Sequence, residues 1–359
     1  MERCLRDSRQ RPWETHTTAF ILLVCVCWFA SPSRRRPTAV APASLCSPWL
    51  ATHYPVTLSA ALARDLLLRV EREEAQQSLS VAPEGRAAEA ARPYFDIVVI
   101  VPTPLLSDRR RFVRKHVFAR PPFDFARIKL LFIVGGQDVD IDALEAVAGN
   151  SAAREDDVLV ARHCRDEDGV ATYPTGSATT CKVLAGIVHA TASFRFALLI
   201  RSGDDSYVRI DMLLSRIIAA HLGGGLPRAA RNFILGWWYR PDDNSVSPLL
   251  RDAYGISKWP TYPMGMGYVL GGNVTRALAR LQDDLGLLDG YPEDAVVGMW
   301  LSGLSHDTVT RVHSPCFIND RVDSGCSDDA VLVHYMTPEK WARIDAQGRP
   351  RLCAGREVV

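Results

Sequence analysis

One stretch limits the fold more than any other: Phe196-Ala-Leu-Leu-Ile-Arg-Ser-Gly-Asp-Asp-Ser-Tyr-Val-Arg-Ile-Asp-Met-Leu-Leu214. Phe196 to Ile200 is a short, continuous apolar run, the signature of a strand buried on both faces. After Gly203-Asp204-Asp205 the apolar residues Val208, Ile210, Leu213, Leu214, Ile217 and Ile218 recur at helical spacing. A buried strand that ends in two carboxylates before a helix puts negative charge at the carboxyl edge of an α/β sheet, where open α/β folds bind ligands. Adjacent carboxylates repel, so both stay ionised only beside a cation or strong donors. A hard divalent ion with oxygen ligands and ligand phosphates answers that need. A solvated turn accounts for the same two residues, since Asp is a common turn residue.

The surrounding chain repeats the strand and helix alternation. A strand over Phe95–Pro102 precedes a helix that Ser107 or Asp108 caps and that runs to Phe118. Strands are predicted at Ile128–Gly135 and Asp157–Ala161, and helices over Ile141–Ala148 and Thr180–Ala192. This order predicts a mostly parallel sheet with crossover helices. Beyond residue 230 come a strand ending in Trp237-Trp238-Tyr239, a Gly-rich turn over Tyr262–Gly272 and a helix near Val274–Leu281. A second acidic pair, Glu293-Asp294, opens the run to Leu301. Residues 93–359 read as one domain. Neither a dinucleotide GxGxxG after the first strand nor a Walker GxxxxGK[ST] occurs, so NAD and P-loop chemistry find no support.

The preceding part has a different texture. Thr17 to Ala30 carries no charge and lies between arginine-bearing flanks, so a signal-peptide core and a short signal anchor both fit. Bulky Trp28 disfavours cleavage after Ala30, which makes an uncleaved anchor over residues 17–31 the expectation, after a tail of residues 1–16. Residues 32–92 are rich in Ala, Pro, Arg and Ser and read as a stem. Within the stem, Thr57–Gln77 has the pattern of one amphipathic helix, either self-associating into a homodimer or packed on the domain. Six cysteines follow the apolar segment (Cys46, Cys164, Cys181, Cys316, Cys326 and Cys353), with no CxxC among them. Six can form three disulfides with pairing unassigned, which points to an oxidising compartment. A net charge of +1 and the lack of any nucleic-acid module exclude nucleic acid as the expected partner.

Together these motifs resemble glycosyltransferase family 31, the β1,3-galactosyltransferases and their kin. Arg110 and Arg114 match the family's RxxxR, and Leu130–Gly135 its LLFVLG strand. Arg201–Val208 matches KxDDDxFV, Tyr262–Leu270 is similar to YP…GxGYVL, and Glu293–Gly298 to EDVYVG. Val333–Lys340, running on to Cys353, resembles VHxxxPEE…C. One departure stands out: Gly203 occupies the position of the family's first aspartate.

The resemblance implies a Golgi type II membrane protein with a lumenal catalytic domain of the GT-A architecture. It implies a UDP-sugar donor, a glycan acceptor and a divalent metal, usually Mn2+. The transfer would be inverting, with galactose as donor sugar and N-acetylglucosamine as the alternative; a non-catalytic chaperone is the reading from another class. By the same resemblance Asp205 and His334 would ligate the metal, and Asp204 would meet the ribose or a metal-bound water. Asp294 would be the general base, and Glu293 would orient it or bind acceptor. Lys182 and Arg114 fit UDP phosphates or a charged surface equally, and Arg110 belongs to the same cationic set. Simpler roles exist for several of these: helix-dipole pairing for Glu293-Asp294, a core histidine for His334, and core packing for Trp237-Trp238-Tyr239. Asn273-Val-Thr275 is a glycosylation sequon.

Overall fold

The structure is a computed structural model. It describes residues 91–105, 107–118, 126–137, 157–166, 178–214, 217, 232–240, 258–285, 292–302, 304, 309–314, 316–319 and 330–347. The expected tail and anchor, the expected stem apart from residues 91 and 92, the helix expected over Thr57–Gln77 and the helix expected over 141–148 lie outside these residues. Among the described residues no helix is long and apolar enough to cross a membrane. The chain divides into two units, Met1–Ala41 with Pro241–Trp259, and Pro42–Arg240 with Pro260–Val359. The second holds every element below; in the first, only Lys258 and Trp259 are described.

A seven-stranded sheet forms the centre, in the order β3-β2-β1-β4-β7-β6-β8. Its strands are β1 (Tyr94–Pro102), β2 (Ile128–Gly135), β3 (Val158–Ala161), β4 (Arg195–Ser202), β6 (Phe233–Tyr239), β7 (Tyr262–Gly271) and β8 (Thr310–His313). β1 is parallel to both β2 and β4, β2 to β3, and β6 to β8. Continuous apolar runs such as Ile97–Val101 and Phe196–Ile200 are buried because sheet faces covered by crossover elements leave no side of the strand to water. One crossover helix, α2 (Ala178–Ser193), lies against β1 and β2, and its Gly186 admits Ile133 and Ile100 to close range. The other described helices are α1 (Arg109–Phe118), α3 (Gly272–Leu285), α4 (Glu293–Ser302) and α5 (Pro338–Gln347).

The segment expected to be a Gly-rich turn is a ten-residue strand instead. β7 runs antiparallel between β4 and β6, so the sheet is mostly but not wholly parallel. Ladders to both neighbours at Tyr268–Leu270, and side-chain partners for the backbone of Gly265 and Met266, outweigh the weak strand preference of its glycines. At Gly267, paired with Ser202, φ is +153° and a Cβ would fall 2.4 Å from Leu332 Cδ1. Only glycine lets the strand cross there. Leu332 belongs to a second, three-stranded sheet of β5 (Tyr207–Val208), β10 (Leu332–His334) and β9 (Phe317–Asn319), in that order.

Candidate active site

Strand order places the site. Moving from β1, the sheet grows through β2 and β3 on one side and through β4 on the other, so the carboxyl ends of β1 and β4 flank a switch point where a crevice opens. The chain leaves β1 at Thr103 and β4 at Gly203-Asp204-Asp205. Asp204 spans the gap. Its Oδ2 accepts hydrogen bonds from Thr103 Oγ1 (2.9 Å) and Ser107 Oγ (3.0 Å), and its Oδ1 meets Arg109 Nη1 at 3.2 Å. Ser107 Oγ also accepts from the Arg109 amide at 3.2 Å, as the expected cap of α1.

Asp205 turns the other way. Its Oδ1 lies 3.2 Å from His334 Nε2, and both side chains keep an open side, 22% and 16% exposed. Burial pushes the Asp205 carboxyl up, but hydrogen bonding to His334 and the charges of His334, Arg109 and Arg201 outweigh it and hold the group below the usual carboxylate value. His334 is carried by β10, which pairs with β5 just beyond the Asp205 turn. The main chain ties the two further, because the Met336 amide donates to the Asp205 carbonyl at 2.8 Å. Between them Tyr335 adopts φ +61°, sparsely used by residues other than glycine, and its ring stacks on the imidazole at 3.8 Å. Lys340 Nζ donates to the Tyr335 carbonyl (2.9 Å), linking this turn to α5. α5 is docked by Trp341, which is buried and stacked with His116 and Phe112 of α1.

Glu293 and Asp294 have separate surroundings although adjacent in sequence. Glu293 is buried, its Oε1 accepting from the Tyr268 hydroxyl and its Oε2 2.9 Å from Arg201 Nη2. The Arg201 contact lies off the line of a hydrogen bond and is an ion pair. Burial pushes the Glu293 carboxyl up, with Arg201 opposing. Asp294 is partly exposed. Its Oδ2 accepts from the Gly265 amide (2.9 Å) and its Oδ1 from the Ala295 amide (2.8 Å). Burial raises the Asp294 carboxyl above the ordinary value despite these bonds and Arg201. Arg201 joins the parts: it is buried, donates through Nη1 to the Gly265 carbonyl, and feels the charges of Glu293, Asp294 and Asp205.

The cations expected at the donor side are committed to protein acceptors. Arg110 Nη1 donates to the carbonyls of Pro104 (3.1 Å) and Leu105 (2.7 Å), and Arg114 forms a bidentate pair with Asp157 (2.8 and 2.9 Å). Lys182 is buried against Asp166 Oδ1 (2.7 Å) and the Thr103 carbonyl (3.1 Å). Asp166 accepts in turn from the Leu105 and Gly135 amides, and the Cys164–Cys181 disulfide fastens its loop to α2. His163 lies within metal-ligand reach of the same two sulfurs, but the bond between them removes the thiolates a metal would take. Cys316 is also disulfide-bonded. Trp237 packs on the core and Trp238 Nε1 donates to the Val312 carbonyl (2.9 Å), while Tyr239 stays exposed against Tyr262. At the sequon, Asn273 Nδ2 donates to Asn232 and its Oδ1 accepts from Arg276, while Thr275 is wholly buried.

Three participants are absent from the sequence expectations: Arg109, Tyr268 and the structural role of Arg201. For Arg201 a signal existed, a charge at the end of an apolar run that has no exposed face. For Arg109, the family's RxxxR points instead to Arg110, the middle of three consecutive arginines.

The residues of the Asp205–His334 pair suit a divalent cation. One carboxylate oxygen and one imidazole nitrogen converge, a donor pair a divalent cation can take, and the exposed side leaves room for ligand oxygens and water. Asp204 suits it less, since both its oxygens are engaged by Thr103, Ser107 and Arg109.

The site thus holds a carboxylate–imidazole pair and a separate, partly exposed carboxylate at one end of a mostly parallel sheet. Residues 108–311 match the family model described as Galactosyltransferase, and the chain belongs to that family, a glycosyltransferase of the family 31 kind. Among curated proteins it is 27% identical over 275 residues to beta-1,3-galactosyltransferase 6 of Mus musculus, covering 72% of this chain and 76% of that one. It is 23% identical over 161 residues to hydroxyproline O-galactosyltransferase GALT6 of Arabidopsis thaliana, covering 43% of this chain but only 22% of that one. Of solved structures, a mannosyltransferase from Pyrobaculum calidifontis in complex with GDP-Man and Mn2+ overlaps at a TM-score of 0.36 and 13% identity. That overlap covers 80% of this chain and 70% of that one, and is too loose to transfer anything from it.

Proposed function

We propose that this glycosyltransferase moves a hexose, galactose, from a UDP-sugar in β1,3 linkage to a glycan acceptor, inverting the anomeric carbon on a GT-A domain. The observation that supports this most directly is the division of labour among four acidic residues. Asp205 faces His334, Asp204 and Glu293 are committed to protein donors, and Asp294 alone combines a raised proton affinity with partial exposure. Each Asp294 oxygen accepts one backbone bond and keeps a lone pair. Asp294 takes the proton from the acceptor hydroxyl as that oxygen bonds to the anomeric carbon and the bond to UDP breaks. Asp205 and His334 would hold the Mn2+, whose charge stabilises the departing diphosphate. Glu293 fixes the start of α4 through Arg201 and so positions Asp294, in place of touching acceptor. Asp204 shapes the donor crevice between β1 and β4, with half-exposed Arg109 beside it for the diphosphate. Arg110 and Lys182 serve the donor side by holding the loop after β1, and Arg114 by holding Asp157.

The same reading sets the domain in the Golgi lumen, with residues 17–31 as a single-pass type II anchor and 32–92 as a stem. The disulfide of Cys164 with Cys181 supports an oxidising compartment. Release of UDP, followed with Mn2+ across a panel of UDP-sugars and β-linked acceptors, tests the proposal: UDP-galactose should give turnover that chelation abolishes. Turnover with no dependence on a divalent cation would refute the metal assignment, and no turnover with any donor would refute the enzyme. Asp205→Ala should weaken Mn2+ affinity in the presence of UDP by at least about tenfold. The fold should survive, because the carboxylate sits at the rim of the core and its main-chain bond to Met336 remains.

A further inference from the structure

Gly203 lies between Ser202, the last residue of β4, and the Asp204-Asp205 turn. A Cβ built on it would sit 2.6 Å from Asp205 Oδ1 and 3.1 Å from Ser206 Oγ. That Oδ1 is the oxygen that faces His334 Nε2. Backbone conformation is not what demands glycine here, since among the described glycines only Gly267 has a positive φ. The demand is for space.

The neighbours leave a single way to make that space. Ser206 Oγ is anchored on the Met266 carbonyl at 2.9 Å, and the Ser206 amide donates to the Gly203 carbonyl at 3.2 Å. The Asp205 carbonyl accepts from Met336, and Asp204 is bound on both oxygens. The Asp205 carboxylate is the one flexible tip in contact with the missing side chain, so any residue larger than glycine displaces it from its place opposite His334.

We propose that Gly203 is a positioning residue: its bare Cα is the cradle in which the Asp205 carboxylate lies in register with His334. The inference rests on the proposed metal role of that pair. The resembled family has an aspartate at this position. In this chain Gly203→Asp should weaken cation binding, because its Cβ evicts the ligand already there.

The test is Mn2+ binding to the full-length protein in the presence of UDP, read from the electron paramagnetic resonance of free Mn2+. Wild type, Gly203→Ala, Gly203→Asp and Asp205→Ala are compared, with a thermal melt of each. Both Gly203 variants should bind Mn2+ about 10–100-fold more weakly than wild type while melting close to it, since a side-chain tip yields and the backbone does not. Wild-type affinity in Gly203→Ala, beside loss in Asp205→Ala, overturns the cradle and leaves the metal site standing. Tighter binding in Gly203→Asp overturns it as well, as does a Gly203→Ala melt far below wild type. Wild-type affinity in Asp205→Ala removes the metal site itself.

Discussion

Asp294→Asn should lower transfer by at least about 100-fold, within the 10²–10⁴ range that a general base contributes. The substitution keeps the shape and removes the proton acceptor. One of the two backbone amides now bonded to the carboxylate, Gly265 or Ala295, would face the new NH2 group, so a stability loss of about 1 kcal/mol accompanies the change. Mn2+ and UDP affinity should stay near wild type, because Asp294 lies with β7 and α4 while the metal pair lies on the β4 turn and β10. A fall confined to kcat and kcat/KM would mark an interaction made in the transition state. Near-normal turnover would remove Asp294 from the chemistry. The pH profile gives an independent check. A base must be ionised to act, and burial raises the carboxyl of Asp294, so the acid limb of kcat should lie above the ordinary Asp value of about 3.9. Activity should rise with pH through that limb. A limb at or below the ordinary value would mean that another group carries the proton.

Glu293 would be the natural competitor for this role on sequence alone, and its surroundings explain why the two acids diverge. Sequence places both at the start of a helix, which α4 confirms. It does not say which faces the interior. The ring of Tyr268 and the guanidinium of Arg201 arrive from β7 and β4, strands far away in the chain, and they claim Glu293. The same limit applies to the arginines. The resemblance to the family's RxxxR picks out Arg110 and Arg114, but their acceptors are loop carbonyls and Asp157, which only the folded sheet brings near.

The frame itself was far more legible. β2 has the expected ends, because Ile128–Gly135 is apolar but for Lys129 and lies between Arg127 and Gly136. β1, β3 and α2 fall within one or two residues of expectation, and so does the start of α4. β7 was hidden because glycines at 265, 267 and 271 erase the side-chain alternation by which a strand is recognised. β5, β9 and β10 are two or three residues long, too short to carry a period, yet they hold His334 opposite Asp205. Motif order singles out Asp205, His334 and Asp294 as candidates. That two of them meet follows from the small sheet that the chain pattern does not announce.

Arg201→Met should destabilise the domain by about 3–5 kcal/mol, the cost of leaving one member of a buried ion pair without its partner. Arg201 and Glu293 are both nearly inaccessible, so water does not replace the lost charge. The loss should depend on pH in a defined direction. Burial already raises the Glu293 carboxyl, and without Arg201 the opposing influence disappears, so the folded variant binds a proton more readily than the unfolded chain. Such a group contributes fully below its unfolded value, about 4.3, and its contribution is lost as pH rises through the folded value. The variant should therefore lie closest to wild type in acid and fall away toward neutral pH. Adding Glu293→Gln should restore part of the stability, because it removes the stranded charge while keeping an acceptor for the Tyr268 hydroxyl. Activity should not return with it. Arg201 also holds the Gly265 carbonyl, and the Gly265 amide holds Asp294, so the double variant folds with its base loosely placed. Urea titrations at several pH values, with turnover measured on the same samples, separate the two effects. A cost below about 1 kcal/mol, or no recovery in the double variant, would show that the Arg201–Glu293 pair is not what holds this end of the site together.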